Sequence, residues 1–113
     1  MKLTPYFPIN IIPLTTFTAN HWSALLQAPP NSNARFFYRI TNVSGTSPSL
    51  TIRIFYSCLS GSNIHVLSTD SISANITGSL QVPNTPINYK VYLAISGTTP
   101  SFTVEMDVQF QEL

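Results

Sequence analysis

The side chains able to do acid–base, nucleophilic or metal chemistry are few in this 113-residue chain, and their spacing gives none of them a working partner. The acids are Asp70, Glu105, Asp107 and Glu112. Glu105 and Asp107 stand two apart, which places both on one face of a strand. Calcium wants about six to eight oxygens and usually a loop that wraps the ion, so a solvated strand face is the better reading. A carboxylate pair for glycoside hydrolysis would need a cleft and one raised pKa, which an exposed strand does not provide. His21 and His65 fall in no HxH, HxxxH or HExxH spacing, so a zinc centre would have to be assembled from unrelated parts of the chain. No G-x-S-x-G elbow accompanies the many serines. The segments Ser44-Gly45-Thr46 and Ser96-Gly97-Thr98 are too short for a phosphate-binding loop and lack its lysine. Cys58 is the single cysteine; it can form no intrachain disulfide and is expected as a small buried apolar residue. The expectation is a non-enzyme without metal or cofactor.

The aromatic residues offer binding rather than catalysis. Trp22, Tyr56, Tyr89 and Tyr92 could stack on neutral carbohydrate. Alternation places Trp22 and Tyr56 on inward faces, as core. Phe37 and Tyr92 point outward from otherwise polar faces and are expected to contact another chain or to lie under the N-terminal segment.

Composition narrows the partners. Charged residues make up 8% of the chain, against roughly a quarter in an ordinary soluble domain, with Ser, Thr, Asn and Pro in their place. The net charge of +1 from Lys2, Arg35, Arg39, Arg53 and Lys90 cannot neutralise a phosphate backbone, which excludes nucleic acid as an expected partner. Such weak self-repulsion suits a subunit held in an assembly. No apolar stretch has the length of a membrane span. Pro5, Pro8, Asn10 and Pro13 interrupt the apolar N-terminus, so no signal peptide is read there.

One domain is expected, with 43% hydrophobic residues to fill one core. Residues 1–20 read as an extended, Pro-rich arm with room for one edge strand, and 21–113 as a β-sandwich. The arm is apolar at Leu3, Tyr6, Phe7, Ile9, Ile11, Ile12 and Leu14, so it must pack on its own sandwich or on a neighbour. Period-two alternation predicts strands at 21–28, 34–41 and 50–56, with Ala34, Phe36, Tyr38 and Ile40 on one face of the second and Leu50, Ile52, Ile54 and Tyr56 on one face of the third. The alternation is cleanest at Phe102, Val104, Met106, Val108 and Phe110. Shorter candidates lie at 63–68, 71–76, 79–82 and 87–95, making about eight strands and no helical periodicity: an antiparallel β-sandwich or jelly roll.

The most specific feature is a repeat. Val43-Ser44-Gly45-Thr46-Ser47-Pro48-Ser49-Leu50-Thr51-Ile52 is echoed 52 residues later by Ile95-Ser96-Gly97-Thr98-Thr99-Pro100-Ser101-Phe102-Thr103-Val104. Gly where positive φ is convenient and Pro where φ near −65° is useful predict a β-hairpin in each copy. The duplication predicts two similar halves about an approximate two-fold axis, and were the outgoing strands neighbours, Arg53 could pair with Glu105.

The repeat, entered through Thr41-Asn42 and spanning roughly 39–110, resembles a pattern of small β-sandwich virion structural proteins of tailed bacteriophages. The resemblance implies a capsid-decorating or otherwise particle-bound protein without catalytic activity. Its expected partners are the major capsid protein or other virion proteins and further copies of itself, a trimer among the arrangements. Its expected place is the capsid surface, after synthesis in the host cytoplasm. The candidate contact residues are Leu3, Tyr6, Phe7, Ile9, Ile11, Ile12, Phe37 and Tyr92. The rival expectation is a carbohydrate-binding or receptor-binding module of a virion or tail, marked by an exposed row of aromatic rings.

Overall fold

The computed structural model describes residues 8–58, 62–83 and 88–112. Among them are seven strands: β1 (Ile9–Phe17), β2 (His21–Trp22), β3 (Leu26–Gln27), β4 (Ser32–Cys58), β5 (Ser62–Ser68), β6 (Ile76–Val82) and β7 (Asn88–Glu112). All pairings are antiparallel. The fold is all-β and sandwich-like, with the sheet left open.

Two strands are far longer than the usual five or six residues: β4 has 27 and β7 has 25. They pair with each other twice, 32–41 against 103–112 and 49–56 against 89–96. A straight strand would put Tyr89 and Phe110 about 70 Å apart, yet their ring centroids are 6.4 Å apart. The strand therefore folds over on itself. One layer is β1, the C-terminal part of β7, the N-terminal part of β4, and β6. The other is β2 and β3, the N-terminal part of β7, the C-terminal part of β4, and β5. Alternate residues of both layers fill one core, where Phe36 meets Tyr89 edge-on at 5.6 Å. All five inward residues expected between Phe102 and Phe110 are buried, as are Ala34, Phe36, Ile40, Leu50, Ile52 and Ile54, while Tyr38 packs partly buried against them.

The repeated segments are not hairpins. Each continues as strand through the bend between layers, and the two copies pair with each other: Ser44 with Ser101, Thr46 with Thr98, Ser49 with Ser96. The 52-residue offset carries Thr46 onto its own partner Thr98, so the local two-fold axis passes through that pair. The turn residues serve as bulges. Gly45 and Gly97 have φ of 110° and 120°, and Ser47 and Thr99 have φ of 50° and 46°. Each glycine abuts the other copy's backbone. A Cβ on Gly45 would lie 2.7 Å from the Thr99 carbonyl oxygen and 2.9 Å from Pro100 Cα. One on Gly97 would lie 2.8 Å from the Ser47 carbonyl oxygen and 3.0 Å from Pro48 Cα.

Other expectations shift with this geometry. The predicted strand at 21–28 is broken into β2 and β3, and 71–76 contributes only the bridge of Ile72 to Leu50 and the first residue of β6. Within the expected arm, Ile9–Phe17 is an edge strand on β7 of the same chain. The outgoing strands lie in different layers, so Arg53 does not meet Glu105. Glu105 instead pairs with Arg39, directly across β4 and β7. Arg39 is exposed and Glu105 partly so, and the pair contributes about 0–1 kcal/mol.

We expect Gly45→Ala or Gly97→Ala to cost at least about 2 kcal/mol in urea unfolding, since each adds a methyl group against backbone at a positive φ. Gly78→Ala meets the phenol end of the Tyr38 side chain rather than backbone and has no positive φ to strain, so it should cost less than either. Burial pushes the Tyr89 phenol well above its ordinary value. Its contribution is complete below pH about 10, where the unfolded tyrosine ionises. At higher pH the unfolded chain gives up this proton while the native one holds it, so stability falls by up to about 1.4 kcal/mol per pH unit. Tyr89→Phe should flatten this alkaline slope in denaturation curves taken between pH 9 and 11, roughly.

Candidate functional site

The outer face of the layer containing β2 carries a connected group of aromatic rings. Cross-strand partners share a face. Trp22 stands opposite Tyr92, and Tyr92 alternates with the buried Val91 and Leu93, so both rings face outward. β2 is held there by two bonds: Ser23 donates its backbone N–H to the Val91 carbonyl at 2.8 Å, and its Oγ accepts from Val91 N–H at 2.9 Å. These bonds interrupt the alternation expected for 21–28 and explain why Trp22, expected inside, is 44% exposed.

The rings form a connected group. Trp22 lies 4.4 Å from Tyr92 and 5.1 Å from Phe55, and Phe55 lies 5.4 Å from His65. Their planes are inclined to one another by 40° to 83°. Phe55 and Tyr92 are half-buried, while His65 is exposed. The group is thus a set of mutually inclined rings, with Trp22 and His65 exposed, rather than a flat stacking platform. Arg53, opposite Tyr92, and Lys90, opposite Phe55, share this face. No carboxylate stands on these four strand segments among the described residues. Tryptophan, tyrosine and arginine are the residues most enriched at energetic centres of protein interfaces.

The other expected contact residues are elsewhere. Phe37 is 37% exposed on the outer face of the opposite layer. Ile9 is 52% exposed on β1, Ile11 is partly buried against the core, and Ile12 is 4% exposed. Ile12 thus belongs to its own core, because β1 pairs with β7 and turns this residue inward. Leu3, Tyr6 and Phe7 lie outside the described residues. Of the proposed sugar-stacking set, Tyr89 is buried and Tyr56 half-buried.

Carboxylate chemistry finds little room. Glu105 is held by Arg39, and Asp107 accepts a 2.8 Å hydrogen bond from Asn10 Nδ2. Among the described residues no three His, Cys, Asp or Glu side chains gather as a metal site. No protein family, curated protein or solved structure matches this chain.

Trp22 is the sole tryptophan, so its fluorescence reports this face directly. We expect ready quenching by acrylamide in the folded protein. Trp22→Ala should cost no more than about 1 kcal/mol of stability, whereas Phe36→Ala should cost about 3–5.

Proposed function

We propose that this chain is a non-enzymatic structural protein of a virus particle, docking on the major capsid protein or another virion protein. The observation that carries the docking surface is the acid-free aromatic face of Trp22, Tyr92 and Phe55 with Arg53 and Lys90. An aromatic anchor flanked by two cations favours a partner surface that offers an apolar recess edged by carboxylates. The scarcely charged remainder of the surface supports residence in an assembly, and the repeat supplies the likeness to virion proteins. The inclination of the rings favours a protein recess over a sugar ring, which stacks best on an open, flat aromatic face.

The test is binding of the purified chain to the capsid and tail proteins encoded in the same genome. One of them should bind, more weakly as salt is raised because charges steer the encounter. Trp22→Ala and Arg53→Glu should each weaken binding about tenfold or more. Absence of binding to every particle protein, or binding indifferent to both substitutions, would reject the proposal.

A further inference from the structure

The outer face of the opposite layer carries a second, chemically different feature. The registers of β6, β4 and β7 set its side chains in rows. Asn33 lies opposite Gln111; Arg35 lies between Gln81 and Gln109; Phe37 lies between Ser79 and Asp107. The first two rows and Phe37 line a groove of about 340 Å³, within the range of small-ligand sites. Phe37 forms one end, its exposed ring edged by polar side chains.

Four of the lining side chains are amides, each with donors and an acceptor. Among the described residues lining the groove the only charged group is Arg35, whose Nη2 donates to Gln81 Oε1 at 3.0 Å. That bond holds both groups across the groove floor. Asp107 stands beside Phe37 and Glu105 one row further on, engaged with Asn10 and Arg39 respectively. Neutral donor–acceptor pairs beside an aromatic ring match vicinal hydroxyls and the C–H face of a sugar. The groove carries too little charge for a strongly ionic ligand. It also lies over the middle of a sheet, where the β4 backbone is paired on both sides, so an extended peptide would find no free main-chain partners.

We propose that this groove binds a neutral pyranose unit of a glycan, with Phe37 as the stacking ring and Gln81, Gln109 and Gln111 as hydroxyl partners. The site is separate from the aromatic docking face. A particle-bound subunit could then hold its anchor with one face and present the groove on the other.

The experiment is two-dimensional NMR of the full chain titrated with neutral oligosaccharides of glucose, galactose, mannose and N-acetylglucosamine, each to about 10 mM, since single-site sugar binding is expected near the millimolar range. At least one should shift the side-chain amide signals of Gln81, Gln109 or Gln111. Phe37→Ala and Gln109→Ala should each weaken that response about tenfold, while Trp22→Ala leaves it unchanged. Both substituted positions are outward-facing, and an unchanged melting transition would confirm their folding. Absence of shifts with every sugar would overturn the proposal. So would shifts that map to Trp22 and Tyr92, or a response to a non-sugar peptide that exceeds the sugars. Particle-protein binding retained by Phe37→Ala separates failure here from failure of the docking face.

Discussion

The contact on which the rest of this structure depends is the reciprocal approach of Gly45 to the backbone of Thr98–Pro100 and of Gly97 to that of Thr46–Pro48. No larger residue fits either place, because the neighbouring atoms are main chain and cannot move aside independently. The approach lets β4 and β7 bend from one layer to the other without separating. It also explains the turn-like residues of the repeat: Pro48 and Pro100 lack a donor, and they sit where the ladder slips and needs none. The two layers are therefore halves of the same two strands, and their outer faces are fixed relative to each other by this crossing.

The duplication extends beyond the repeated decapeptide. β1, the pair β2–β3, and β4 are matched in order by β5, β6 and β7. Asn20 Oδ1 accepts from Ile95 N–H at 2.7 Å, and Asn75 Oδ1 accepts from Val43 N–H at 3.3 Å. Val43 and Ile95 are themselves repeat equivalents, so the same anchor recurs in both halves. The two outer faces differ where the symmetry fails. Arg53 and Phe55 correspond to Glu105 and Asp107, which leaves one outer face cationic and aromatic and gives the other its carboxylates. A third bulge, at Asn42 with φ of 51°, has no counterpart at Ala94. It shifts one arm of the β4–β7 ladder by a residue relative to the other, and so helps to make the faces unlike.

Much of this was legible in the residues. Alternation located the core of β4 and β7, since a period of two turns every second side chain inward whatever the partner strand. The repeat and its approximate two-fold were legible too. The route of the chain through the repeat was not, because Gly, Ser and Pro serve a tight turn and a bulge equally well, and only long-range pairing decides between them. The aromatic face was half legible. Phe55 and Tyr92 alternate outward in clear strands. Trp22 was misplaced because Ser23 uses its own hydroxyl to bond Val91 and breaks the alternation after two residues. The recurrence of Thr18-Ala19-Asn20 as Ser73-Ala74-Asn75 was the available sign that these asparagines do matching work.

The crossing itself can be observed directly in solution by nuclear Overhauser contacts between α-protons. The account predicts close contacts from Gly45 to Pro100 and from Gly97 to Pro48, together with the Thr46–Thr98 pairing. Their absence, with local contacts of Val43 to Leu50 and of Ile95 to Phe102 in their place, would mean that each repeat closes as its own hairpin and would contradict the account.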